Sequence, residues 1–487
     1  MRVAVPERSP FALSEPDRER MLARLELALG RARRSGEATL ATSTVKLPSG
    51  VDPSAVVCAS RRPGEPWFAF EQPDRGGAAL GALGEVVRLT DRGADRFAAV
   101  ADRWRALAAG AVGDPHDDPD RSGPVAVGGF AFAPEGGGTP EWEGFEPASL
   151  VVPEVAIRRS GARAGARAAP DVRLTLAALV APDDVAEQAL ARLERRLEDL
   201  RSESLALLDP APAGRYRVAS TMAPEHFEAA VGRATELIAK GEIQKVVLAR
   251  EVQAKAPLAY DPGAILGVLR DAFPACFCFC VGRGDATLVA ASPELLIRRE
   301  GHRVSTLALA GSTRRSADPA VDDHLGEQLL RDDSYREEHA IVARRIERTL
   351  RPHSVWVAVA EEPELVKIAN IQHLATPIRA QLAAPVDVLE LAALIHPTPA
   401  VGGEPRAAAS ALIPALEGLD RGWYAGPVGW TDATGDGELC VALRCALLRG
   451  NVARCYAGNG IVRHSDPKAE LAETEVKLQA LLPLLTG

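Results

Sequence analysis

Positive charge is in short supply in this sequence. Its formal net charge is -9, so no basic field is available to release counterions from a nucleic acid or to hold an anionic membrane surface. Also missing is any run of about 18 apolar residues, the length that a membrane-spanning helix needs. The Arg-containing start has no apolar core of the secretory kind, and Glu7, Glu15, Asp17 and Glu19 interrupt it where a transit peptide avoids acids. The expected location is the cytoplasm. Cysteine is scarce and odd in number, seven in 487 residues. Three of the seven fall in Ala275-Cys276-Phe277-Cys278-Phe279-Cys280, which matches no disulfide or zinc spacing. Such alternation reads as a strand whose same-face cysteines stand about 7 Å apart, too far for one tetrahedral zinc site. Internal repeats and low-complexity tracts are absent as well, which removes solenoids, stalks and tails.

What is present is the balance of an ordinary globular protein, 47% hydrophobic and 25% charged residues, in a chain long enough for one large domain or up to about three smaller ones. An acidic protein that handles an anionic metabolite needs positive charge placed locally, by particular Arg and Lys side chains or by a divalent cation. The segment from about 159 to 170, rich in Gly, Ala and Arg, reads as an exposed loop. Leu190, Leu193, Leu197 and Leu200 then recur at helical spacing until Asp209-Pro210-Ala211-Pro212-Ala213-Gly214 breaks the pattern, and the main division is placed there. Residues 1–214 mix strand-like Trp67-Phe68-Ala69-Phe70 and Val125 to Phe130 with an amphipathic helix around 92 to 109. They read as scaffold of the same fold, and 215–487 as the catalytic region.

After the break a helix runs from Pro224 until Gly241 stops it, and a strand follows through Gln244-Lys245-Val246-Val247-Leu248-Ala249. Both strand faces are apolar, so Lys245 is costly there unless paired or functional. In Ser292-Pro293-Glu294-Leu295-Leu296 a carboxylate stands between a proline and an apolar run; partial desolvation would raise its pKa and suit it to give up a proton, although a surface turn would look the same. A helix from about 326 to 350 sets Glu338 on the stripe of Ile341, Val342 and Ile346, and turns Glu337 away. Ser465-Asp466-Pro467 starts another helix, whose Glu470, Glu473 and Lys477 share a face. A few hard oxygen ligands are what Mg²⁺ accepts when substrate and water complete its octahedron. Arg444, read as a strand residue, offers a planar fork to a carboxylate, and Gly458-Asn459-Gly460 offers bare backbone that an anion can approach; each of these alone is a weak signal.

Together, and in this order, Gln244 to Arg250, Ser292 to Leu296, Leu309-Ala310-Gly311-Ser312, Glu338-His339, Gln372-His373-Leu374-Ala375-Thr376, His396 to Gly403, Tyr424-Ala425-Gly426, Arg444 and Gly458 to Val462 resemble the chorismate-utilising enzymes, over roughly residues 216 to 484. That family includes isochorismate synthases, salicylate synthases and the large subunits of anthranilate and aminodeoxychorismate synthases. The resemblance implies an α+β fold of four layers, two antiparallel sheets packed orthogonally with helices outside. It implies Glu338 and Glu473 as Mg²⁺ ligands with Glu470 assisting through water, Lys245 as the base on the water that attacks C2, and Glu294 as the acid for the departing C4 hydroxyl. Gly311, Tyr424, Arg444, Gly458 and Gly460 are implied as substrate-binding positions, with His373 near the ring.

Within the family, members that use ammonia lack a lysine at the position of Lys245, and aminodeoxychorismate synthases carry a nucleophilic lysine where this chain has Ala310. Both features point to water addition and to an enzyme that needs no glutaminase subunit, expected as a monomer. His396 to Gly403 is similar to the isochorismate synthase version rather than that of the salicylate synthases, and the long N-terminal half to the menaquinone-pathway enzymes rather than the siderophore ones. Asn459 departs from the family pattern, which has alanine there. Salicylate formation with loss of pyruvate, a glutaminase-dependent subunit and a non-catalytic chorismate-binding protein are the competing readings.

Overall fold

The computed structural model of the chain describes residues 9–114, 123–161, 170–205, 209–368 and 370–487. Residues 162–169 of the expected loop, and Glu7 at the start, lie outside the described residues.

Two antiparallel sheets with helices packed against them make the fold, and strands from both sides of residue 214 enter each sheet. In the twelve-stranded sheet the Gly64–Gln72 strand pairs with Phe277–Gly284, and Lys245–Lys255 pairs with Val452–Ile461 further along. In the ten-stranded sheet Val125–Phe130 pairs with Pro427–Asp432, and Arg303–Arg314 with Ile371–Leu382. Period-2 alternation explains how the larger sheet holds two cores at once. Phe277, Phe279 and Val281 enter the core shared with the second sheet. Cys276, Cys278 and Cys280 enter the core on the opposite face, beneath the Pro262–Ala272 helix. Burial pushes all three thiols up, Cys276 to about 12, which leaves them inert packing groups.

Two local expectations are corrected. The helix expected over 326 to 350 is two helices, Pro319–Arg331 and Asp333–Leu350. Asp332 turns extended between them and caps the second, accepting from Ser334 N at 2.9 Å and Tyr335 N at 3.2 Å. The competing signal was a capping aspartate inside an apolar helical period. Arg444 is not in a strand: it sits at a bend between Gly437–Val441 and Cys445–Arg449 with φ of 48°, a left-handed conformation outside the extended region.

Candidate active site

One cavity of about 340 Å³, in the size range of small-molecule sites, is lined by both sheets and by the starts of two helices, Asp333–Leu350 and Pro467–Leu478. The break at Asp332 and the Asp466 cap are what bring those helix ends to it. It gathers Glu294, Gly311, Glu338, His373, Tyr424, Arg444, Gly458, Gly460, Glu470 and Glu473. Lys245 does not border it. That side chain is fully buried, with Nζ 2.7 Å from Glu338 Oε1, and Glu338 itself borders the cavity.

The glycines have a reason of their own in this packing. A Cβ on Gly460 would lie 2.7 Å from Lys245 Cε and would also strike Glu338 Oε1. The bare α-carbon thus makes room for the Lys245–Glu338 pair as well as facing the cavity. At Gly458 a Cβ would lie 2.8 Å from Leu248 O and 3.0 Å from Tyr424 Oη.

Glu294 follows the Ala286–Ser292 strand and is 3% exposed. Burial raises its carboxyl to about 8, while the charge of Lys245 and a hydrogen bond with Thr398 pull the other way. Burial thus favours its protonated form. Opposite in behaviour is Glu473: burial would raise it, but Lys477 at 2.8 Å, the Ser312 hydroxyl at 2.6 Å and Arg444 outweigh burial and hold it below the usual range. Glu470 goes up to about 7, from burial first and, against the Ser465 hydrogen bond, from the charge of Glu473.

Arg444 Nη2 stands 3.2 Å from His373 Nε2, and His373 Nδ1 stands 3.3 Å from Gly311 O. A guanidinium only donates, so Nε2 is the acceptor and Nδ1 carries the proton. Burial, then Arg444 and Lys477, push His373 well below its ordinary value. It is thus a neutral imidazole that accepts from Arg444. Among the described residues the non-glycine residues at positive φ are Ala425 and Arg444, and both line the cavity, as expected of strain held at a functional site.

The donor set decides whether a cation fits. Glu338, Glu470 and Glu473 all border the same cavity and carry hard oxygen atoms. Among the described residues no group of three or more His, Cys, Asp or Glu side chains stands close enough together to hold a metal ion as the side chains lie. The set suits a hard ion that keeps some ligands from water and substrate, provided that Glu338 and Glu473 let go of their lysines.

The sequence profile described as "Chorismate binding enzyme" matches residues 27–486. The chain belongs to the chorismate-binding enzymes. It is 35% identical over 465 residues to the salicylate biosynthesis isochorismate synthase of Pseudomonas aeruginosa, covering 95% of this chain and 93% of that one. It is 33% identical over 372 residues to isochorismate synthase MenF of Bacillus subtilis, covering 75% of each. Among solved structures, MenF, the menaquinone-specific isochorismate synthase from Escherichia coli, matches with a TM-score of 0.75 and 27% identity, over 95% of this chain and all of that one.

Several members of the site escaped the sequence reading. Arg421 lines the cavity and donates to Val401 O at 2.8 Å, Val247 O at 2.9 Å and Glu417 Oε2 at 3.0 Å, while Glu417 Oε1 accepts from Ala249 N at 2.7 Å. The pair fastens the strand of Lys245 to the Val401 loop. Its i,i+4 spacing, unusual this close to two aromatic residues, was the available signal. Tyr335 and Ser312 also border the cavity. No helix among the described residues is long and apolar enough to cross a membrane.

Proposed function

We propose that this chain is an isochorismate synthase, isomerising chorismate by adding water at C2 and expelling the C4 hydroxyl. The observation that carries the reading is the buried carboxyl of Glu294 on the cavity together with the buried Lys245 that marks water-using members, in a chain similar to isochorismate synthases over almost its whole length. Lys245 Nζ takes a proton from the attacking water. For this it must be unprotonated and released from Glu338, so the 2.7 Å pair opens when the site is loaded. Glu294 passes its proton to the C4 oxygen, which departs as water, because hydroxide itself is a poor leaving group. One water enters and one leaves, which makes the net change an isomerisation.

Arg444, oriented by His373, and Tyr424 hold substrate carboxylates, with the Gly458 and Gly460 backbone and Gly311 alongside. Glu338 and Glu473 would hold Mg²⁺, with Glu470 assisting, and the ion would supply positive charge for a substrate carboxylate. Residues 1–214 serve as scaffold and 215–487 as the catalytic region. The enzyme acts as a monomer in the cytoplasm, without a glutaminase subunit. Its product feeds menaquinone synthesis, the role named for the E. coli relative, with the salicylate route named for the P. aeruginosa relative as the other outcome.

Purified protein with chorismate and Mg²⁺, its products resolved chromatographically, tests this. Isochorismate is the expected product. Salicylate with pyruvate, anthranilate on adding ammonia, or binding without turnover would each replace the reading.

A further inference from the structure

The position at which the sequence leaves the family pattern turns out to be the centre of a polar network. Asn459 lies in the Val452–Ile461 strand opposite Leu248, 1% exposed. Its neighbours Gly458 and Gly460 border the cavity while Asn459 does not. Its amide faces the Pro467–Leu478 helix: Nδ2 donates to Glu470 O at 2.8 Å and to Glu470 Oε2 at 2.9 Å, and Oδ1 accepts from Lys477 Nζ at 2.6 Å. The orientation is fixed by charge, since a flipped amide would set N–H against ammonium and oxygen against carboxylate. Lys477 also donates to Gly458 O at 3.0 Å and meets Glu473 Oε1 at 2.8 Å, so all three of its N–H groups have acceptors. Ser312 Oγ closes the chain on Glu473 at 2.6 Å.

We infer that Asn459 is a positioning residue for this reaction: its side chain yokes Glu470 and Lys477, holding the Glu470 carboxylate off the centre of the cavity and the Lys477 ammonium onto Glu473. The inference rests on the isochorismate synthase reading. Fastening the helix to the sheet would need only the bond to Glu470 O. The other two bonds go to charged side chains that line the cavity, and they are of the stronger, charge-assisted kind. With alanine at 459 the Glu470 carboxylate loses a donor and Lys477 an acceptor, and both swing more freely where a dianionic substrate and its cation must sit.

The test compares the full-length protein with Asn459→Ala and Asn459→Asp by steady-state kinetics over a matrix of chorismate and Mg²⁺, by calorimetric titration of the metal-free protein with Mg²⁺, and by thermal melting. For Asn459→Ala, Mg²⁺ binding and chorismate KM should weaken about tenfold, the effect of losing an outer-shell partner of a metal site. Its kcat at saturation should stay within about twofold, the split that marks lost positioning rather than lost chemistry, with a melting temperature lowered by only a few degrees, since the bond to Glu470 O is lost as well. Asn459→Asp keeps an acceptor for Lys477 but sets a carboxylate against Glu470, and should weaken chorismate KM at least as much. The inference fails if kcat drops while KM and Mg²⁺ binding stay put, if the loss only tracks a lower melting temperature, or if Asn459→Asp behaves like the unaltered protein. An unaltered protein that does not turn over chorismate would sink the isochorismate synthase reading instead; the Mg²⁺ titration of Asn459→Ala would still decide the role of Asn459.

Discussion

Among the described residues, those that border the cavity come from positions 247 to 477, whereas those of the first 214 reach the site from behind. Tyr424 stacks on Tyr456 at 5.1 Å between ring centres, Tyr456 on Trp142 at 5.8 Å, and Trp423 meets Phe145 edge-on at 5.1 Å. Asp420, just ahead of this run, accepts from Gly137 N at 3.0 Å and Gly138 N at 2.8 Å. The early region thus supplies rings and loop backbone that set the Tyr424 wall. The late region supplies the charges, and it buries them: Lys245, Glu294 and His373 would each be costly in a core that used them only for packing.

The division is sharpest at the proposed acid and base. Lys245→Ala and Glu294→Gln are each expected to lower kcat on the order of 10³-fold, the usual contribution of general acid–base groups, while Glu294→Gln melts like the unaltered protein because it replaces a neutral carboxyl by a neutral amide. With Glu294 at about 8, the protonated acid exists below that pH, so kcat/KM should fall as pH rises through about 8; Glu294→Gln should lack that limb. A Lys245→Ala enzyme with near-normal turnover would remove the lysine as base.

Next in size come Glu338→Gln and Glu473→Gln, which should raise the Mg²⁺ concentration for half-activity by at least about tenfold. If neither moves the Mg²⁺ requirement, they are not its ligands. Smallest for activity and largest for stability is Trp142→Ala. Its indole is fully buried, with Nε1 donating to Asp420 O at 3.2 Å, and its loss should cost about 3–5 kcal/mol, measured as a lower denaturant midpoint, with a modest change in kcat. A 100-fold loss of kcat at unchanged stability would place the early region within the chemistry and break the comparison.

Much of this was legible in the sequence because local rules and burial agreed. The alternation of Phe277 to Cys280, the Pro224 helix start, the Asp466 cap and the desolvated Glu294 all follow from periodicity and turn chemistry, and each is found. What stayed hidden depends on residues far apart in the chain. The reach of Lys245 to Glu338, of Arg421 to Val247 and of Asn459 to Lys477 exists only once the sheets are stacked. Arg444 misled because Val441-Ala442-Leu443 looks like strand, whereas the chain bends there to turn the guanidinium toward His373.

Gly460 constrains the order in which this site can change over generations. While the long lysine at 245 lies against its α-carbon, even one methyl group there would push the base and its carboxylate apart. A side chain at position 460 therefore needs a shorter residue at position 245. The two positions are expected to vary as a linked pair across descendants of this chain, the lysine leading and the glycine following.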